Sequence, residues 1–329
     1  MKKTIIAALA LSMLISACGT KTQIAGNVGG HDITANEIQF FLDSVKSEME
    51  GTELSTEEDW KTKEIEGRPA IELAKDRAVD SAIKNVASME IAKKLGIELN
   101  ADDETRIKET KKQYIERFGG EKEYKAFLKE SKMEDAFFDE FIKSMVYQGK
   151  LMEEVRKEKP VTEADILGYF DEHEEDYNAI YRRAKHVLTL TKDMEKGVDL
   201  SPEEQEAAKK TAEDVLARAK AGEDFDALIK EFSADPGVAT NPDGYVFTDG
   251  QMVPEFQDGV DALGFNEIGF AKSDYGYHVL QRLPLRHVDF AAEIDMIIIS
   301  ERINVKIDEC IKELDINIDI NDEIVSALE

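Results

Sequence analysis

The stretch "AKHVLTLT", Ala184 to Thr191, is where the character of the chain changes. Apolar and polar side chains alternate along it and β-branched residues recur, so it reads as a half-buried strand. The residues after it extend the change. "SPEE", Ser201 to Glu204, places Ser at an N-cap, Pro at the first helical position and Glu at the third. The helix it opens should run to about Ala221 and stop at Gly222. Phe225, Leu228, Ile229 and Phe232 have the spacing of a second, short amphipathic helix. "SADPGVATNPDGYVF" reads as a loop that enters a strand near Tyr245, and "YHVLQRL", Tyr277 to Leu283, as a final strand. The expected order is strand, helix, helix, loop, strand, helix, strand: a compact α+β unit.

Upstream of this unit the signals are helical. "IAGNVGGHDITANEI" first suggests a hairpin turning at Gly29-Gly30, then a capping box at Thr34 and Glu37. Val79, Ala82, Ile83, Val86 and Met89 recur at helical spacing, and Gly96 follows Leu95 as a C-cap. Gly119-Gly120 breaks the next helix. Phe127, Leu128, Phe137, Phe138, Phe141 and Ile142 supply the bulk of two more helices, either as core or as an apolar cradle for unfolded chains. Pro160 marks a boundary, and Thr162 with Asp165 caps a short helix carrying Ile166, Tyr169 and Phe170. "DEHEEDYN" is a solvated charged run, and His173 within it is given no role. His31 and His287 are expected at the surface.

Downstream, Met296, Ile299, Ile303, Ile307, Cys310, Ile311 and Leu314 form one helical stripe. Ile316, Ile318 and Ile320 then alternate with polar residues, the period of a strand. A terminal strand needs a partner, and a lone hairpin needs a third strand. The two are expected to pair, so that the α+β unit is inserted into a helical domain built from both chain ends.

Composition narrows the function. The chain has 329 residues, 34% of them charged, with a net charge of −28. That acidity excludes a nucleic-acid partner, which would require a basic footprint. Lys2 and Lys3, then an apolar run from Ile5 to Ile15, read as a secretory signal. The run is shorter than the ~20 residues a membrane span takes. Of the two cysteines, Cys18 closes the signal and Cys310 lies on the apolar stripe as a small core residue, so no internal disulfide is expected.

Two resemblances emerge from these segments. "LISAC", ending at Cys18, resembles the lipobox of bacterial lipoproteins, which implies cleavage before Cys18 and lipidation of its thiol. "KHVL", "DFDALIKEFSADPG", "GYVFTDGQMVPEFQDGVDAL" and "SDYGYHVLQRL" together resemble a parvulin-type peptidyl-prolyl isomerase domain over about Ala184 to Leu283. With the lipobox and the helical flanks, including "FGGEKEYKAFLKES", the layout is similar to PrsA-type foldases and to SurA chaperones. The implied division is 1–17 signal peptide, 18–160 helical chaperone-like domain, 161–183 connecting helix, 184–284 isomerase domain, and 285–329 a C-terminal helix and strand packing on the N-terminal domain.

The resemblance also implies a site. Met252 and Phe256 match the pocket that receives a proline ring, and Tyr275 a variable position near the substrate. His186 and His278 match paired histidines beneath the site, Asp235 a polar position, and Ser273 a Ser/Thr position in the histidine network. The imidazoles are expected to be neutral and linked through ring nitrogens, without acting as general acid or base. No cofactor and no metal are implied. The implied activity is prolyl isomerisation and folding assistance for exported polypeptides, at a membrane reached through Cys18; a holdase with an inactive isomerase domain is the alternative, and a homodimer is left open. Two segments depart from the family: "NPDGYVF" lacks its Gly-Gly-Asp-Leu-Gly run, and "NEIGFAKSDYGYH" is one residue shorter. No arginine cluster comes after the first strand, which argues against phosphoserine-proline specificity.

Overall fold

The structure is a computed structural model and describes residues 23–49, 54–65 and 67–328. Cys18, with the signal and lipid-attachment readings, lies outside the described residues. The fold is mixed α+β and divides into two units: one runs to Pro160 and resumes at Ile299, the other spans Val161–Ile298.

In the first unit the hairpin forms as the sequence suggests. Strands Ile24–Val28 and His31–Thr34 pair antiparallel, and Ile318–Ile320 adds the third strand along Ile24–Val28. Thr34 and Glu37 exchange backbone-to-side-chain hydrogen bonds at the start of helix Ala35–Met49. Long helices Ala70–Lys94 and Asp135–Glu158 pack on that helix through one core, which includes Ile38, Leu42, Ala78, Ala82, Ile303, Ile307 and Cys310. Of the phenylalanines read as core or cradle, Phe127 and Phe138 belong to a smaller cluster with Tyr124 and Leu128, while Phe137 and Phe141 also pack against the main core. Phe138 is 1% exposed, and Phe40, Phe127, Phe137 and Phe141 meet it at ring distances of 5.7–6.3 Å.

The second unit is built on a four-stranded antiparallel sheet, in the order Tyr245–Phe247, Arg182–Leu190, Gly276–Leu283, Ile268–Lys272. Three of these strands match the sequence reading. The fourth, Ile268–Lys272, has no counterpart in that reading. It is an edge strand whose residues are only partly buried or exposed, so no alternation of core contacts marks it. One sheet face packs Val187 and Val279 against helices Pro202–Lys220 and Phe225–Phe232. The cap at Ser201 forms as its sequence indicates, with Ser201 and Glu204 satisfying each other's backbone N–H.

The boundary residues sort differently from the sequence division. Segment 161–183 holds two helices, Glu163–Glu172 and Glu174–Ile180, rather than one connecting helix. Phe170 and Tyr177 on them form a core with Leu285, Phe290, Ile294 and Ile298. The segment 285–298 therefore groups with the sheet unit, because its apolar side chains are buried there. His287, expected at the surface, is half-buried in a short turn, His287–Asp289. No helix among the described residues is long and apolar enough to cross a membrane.

Candidate active site

Two histidines reach one place because of strand register. Leu280 lies opposite His186, and His278 opposite Leu188. A period of two then puts His186, Leu188, His278 and Leu280 on the sheet face away from the two helices. The rings lie nearly parallel, 12° between planes, with His186 Nδ1 3.1 Å from His278 Nδ1. Both residues are buried, as is Ser273, whose Oγ is 2.8 Å from His278 Nε2.

Asp235 is brought to the other end of this line by the chain leaving helix Phe225–Phe232. Leu188 N–H donates to Ser233 Oγ at 3.2 Å and Ala234 N–H to Leu188 C=O at 2.8 Å, stitching the loop to the central strand. Asp235 then caps the short turn Pro236–Ala239, its Oδ1 accepting from Gly237 N–H at 3.0 Å. Its Oδ2 lies 2.8 Å from His186 Nε2.

The hydrogen bonds assign the protons. An ionised carboxylate can only accept, so His186 carries its proton on Nε2. With one proton on each ring, His186 Nδ1 accepts from His278 Nδ1–H, and His278 Nε2 accepts from the Ser273 hydroxyl. The four ring nitrogens are all used in one line.

The apolar part lies against this line. The segment Thr248–Gln257 is a turn pinned by two glutamines: Thr248 N–H donates to Gln251 Oε1 at 3.0 Å, and Gly250 N–H to Gln257 Oε1 at 3.1 Å. Pro254 then opens helix Pro254–Asp261, which turns Phe256 inward. Phe256 is 3% exposed and meets His186 and His278 edge-on, at ring distances of 5.1 and 5.6 Å. Phe247 and Leu280 complete the cluster, and half-buried Met252 packs on it. Phe256 is thus a floor in contact with both imidazoles, and Met252 the more accessible of the two. Tyr275 is exposed at 41%, its N–H donating to Ser273 Oγ at 3.2 Å.

Seven residues singled out from the sequence therefore share one neighbourhood of the sheet unit, and Cys18 lies outside the described residues. Tyr245 enters the sequence reading only as a strand position. Its hydroxyl donates to Asp235 Oδ2 at 2.5 Å, and its ring meets His186 edge-on at 5.6 Å. Nothing in a lone tyrosine of a three-residue strand announces that role.

Burial and charge set the titration of the line. Loss of water around the imidazole, then the neighbouring His186, lower His278 to about 4. The hydrogen bond from His186, with those from Tyr245 and Gly237, holds Asp235 well below the usual carboxylate range against the cost of its burial. The sign is the same for both groups. Between pH 6.5 and 4 the unfolded chain takes up a proton at residue 278 that the folded chain does not, so stability falls with pH through that window. The Asp235 contribution, present above its unfolded value near 3.8, is lost only at still lower pH. For His278 the loss is on the order of 3 kcal/mol. Amide exchange at Val187 and Val279, corrected for intrinsic rates, should accelerate by about a hundredfold between pH 6.5 and 4. Unchanged protection would contradict a neutral buried His278.

Parts of the chain are similar to known proteins. The family model of the PPIC-type PPIase domain matches residues 172–283. The foldase protein PrsA of Caldanaerobacter subterraneus subsp. tengcongensis is 29% identical over 274 residues, covering 82% of this chain and 77% of that protein. The chaperone SurA of Pseudomonas syringae pv. tomato is 39% identical over 87 residues, 26% of this chain and 20% of that one. Among solved structures, PrsA from Bacillus subtilis aligns over 74% of this chain and 84% of its own, at 23% identity and a TM-score of 0.28.

Proposed function

We propose, from the premise that this chain belongs to the PrsA-type parvulin foldases, that the cluster around Phe256 is the place where it isomerises X-Pro bonds of exported polypeptides. The chain is a peptidyl-prolyl isomerase. The observation that carries the site assignment is the junction of the imidazole line with Phe256, which lies edge-on to both rings.

The reaction breaks no bond. The barrier of about 18–20 kcal/mol is the loss of amide resonance on rotation. Resonance places partial negative charge on the carbonyl oxygen and partial positive charge on nitrogen, and twisting removes much of that separation. An apolar surface that displaces water therefore disfavours the planar, charge-separated ground state relative to the twisted one. In this reading Met252 and Phe256 seat the proline ring, and Tyr275 borders the preceding residue. Each tenfold of acceleration corresponds to about 1.4 kcal/mol of such selectivity.

The polar line has a different task. Its ring nitrogens are already engaged, so the imidazoles offer no spare proton or lone pair to the amide. They act as a fixed dipolar layer that needs no reorganisation as the bond turns. Asp235 and Ser273 hold its two ends.

The setting of the activity rests on the N-terminal sequence. A positively flanked apolar run ending in "LISAC" supports export and a lipid anchor at Cys18, so that the clients are polypeptides emerging outside the cytoplasm. A protease-coupled proline-peptide assay on the full chain tests the activity: the cis-to-trans phase should accelerate in proportion to protein concentration, and an unchanged phase would overturn the reading. The anchor is tested by fractionation, where a Cys18→Ser chain that stays with membranes as firmly as the native one would count against lipidation.

A further inference from the structure

We propose that Tyr245 is a positioning residue for prolyl isomerisation, which through Asp235 fixes the nitrogen that carries the proton on each imidazole, and that Gly237 is the gap through which it does so. The inference rests on the isomerase reading and adds to it a device that directs the hydrogen-bonded line.

Three donors converge on the Asp235 carboxylate. Oδ2 accepts from the Tyr245 hydroxyl at 2.5 Å and lies 2.8 Å from His186 Nε2; Oδ1 accepts from Gly237 N–H at 3.0 Å. The phenol does not wander, because Tyr245 sits on a strand paired with Ala184 in the central strand. Burial, then the Asp235 carboxylate, raise its proton affinity, so it remains a donor.

Space is made for this contact. A Cβ added at Gly237 would overlap the phenol oxygen of Tyr245, far inside any real contact, and would also approach Asp235 Oδ1. Only glycine lets the turn Pro236–Ala239 pass beneath the hydroxyl while its own N–H holds the other carboxylate oxygen. Tyr245 also lies in the segment where the chain departs from the Gly-Gly-Asp-Leu-Gly run of the family.

The line of imidazoles has two self-consistent senses. In one, Ser273 O–H donates to His278, His278 to His186, and His186 to Asp235. In the other every proton lies on the opposite nitrogen: His186 Nδ1–H donates to His278, and His278 Nε2–H to Ser273. The second sense leaves His186 Nε2 as a lone pair facing the Asp235 oxygen. An ionised carboxylate, which can only accept, excludes that arrangement, and the phenol and the Gly237 N–H fix the direction in which it presents Oδ2. Without the hydroxyl one donor to the anion is gone, the carboxylate plane is freer to turn, and the second sense gains population.

The test uses the full chain, with Tyr245→Phe and Gly237→Ala as independent variants, checked for folding by circular dichroism. Imidazole nitrogen NMR near pH 7.5 should show His186 protonated on Nε2 and His278 on Nδ1 in the native chain, and mixed tautomers in both variants. In the proline-peptide assay both variants should lose about tenfold in kcat/KM. The loss should fall on kcat, because Met252 and Phe256 are untouched. The acid limb of the pH profile should move upward, since Asp235 has lost a bond that favours its anion. Native tautomers and an unshifted profile in folded Tyr245→Phe would overturn the proposal and leave the isomerase reading intact. A native chain that fails to accelerate proline-peptide exchange would overturn that reading and the positioning role together. Should Tyr245→Phe fail to fold, Gly237→Ala decides by the same readouts, because it displaces the hydroxyl without removing it.

Discussion

Met252→Ala combined with Phe256→Ala is expected to reduce kcat/KM for proline-peptide exchange by up to about a hundredfold. Fully burying an aliphatic side chain the size of valine or leucine yields about 1.5–3 kcal/mol, and a proline ring is comparable. If the two residues form the surface that takes the ring, losing both forfeits most of that amount at the point where the twisted amide must be held. The two changes act unequally. Phe256 is 3% exposed and supports both imidazoles, so Phe256→Ala also opens a cavity and should cost about 3–5 kcal/mol of stability. Met252 is half-buried, and Met252→Ala alone should cost about tenfold in kcat/KM with little effect on folding. The single variant thus separates binding of the ring from integrity of the floor. Assay and amide exchange measured on the same samples distinguish them, and full activity in a folded double variant would remove the site from this cluster.

Gly276→Ala should be the most damaging small change in the sheet unit. Gly276 has φ +153°, in a region side chains rarely adopt, and a Cβ there would lie inside the Thr189 carbonyl of the paired strand. Neither partner can yield: Leu190 lies opposite Gly276 in the register, and Ser273 N–H donates to the Gly276 carbonyl at 2.9 Å to close the turn. That turn carries Ser273 and Tyr275 to the end of the imidazole line. The expected cost is about 3 kcal/mol or more, from backbone strain together with forced displacement of the central strands. Gly197→Ala is the control, because Gly197 has φ +68° but open space around it, and should cost only about 1 kcal/mol. Equal urea midpoints for the two variants would show that the central strands accommodate the methyl group.

Much of the architecture could be read from local chemistry. Caps at Thr34, Thr162 and Ser201 announce helices because each satisfies orphan N–H groups within a few residues. The pairing of Ile318–Ile320 with the N-terminal hairpin came from the need of both for a partner. The candidate site was legible only through resemblance. His186 and His278 are 92 positions apart, and nothing local says that their strands are neighbours in a register that puts both on one face. Tyr245 was missed for a related reason: its bond to Asp235 depends on the absence of a side chain at Gly237, which a sequence displays only as another turn residue. The edge strand Ile268–Lys272 was missed because it lies at the rim, where burial leaves no periodic trace. The extent of the sheet unit was misjudged at 161–183 and 285–298, whose aromatic core forms between segments more than a hundred residues apart.

The three-stranded sheet joining the two chain ends bears on how the protein itself comes into being. Ile24–Val28 finds its second neighbour only when Ile318–Ile320 arrives. A chain delivered N-terminus first, at roughly 5–20 residues per second, leaves that strand edge open for tens of seconds. The sheet unit between them can close its own antiparallel ladder during that time, while the first unit waits for Ile318–Ile320. For that interval a protein that handles unfinished chains is itself one of them.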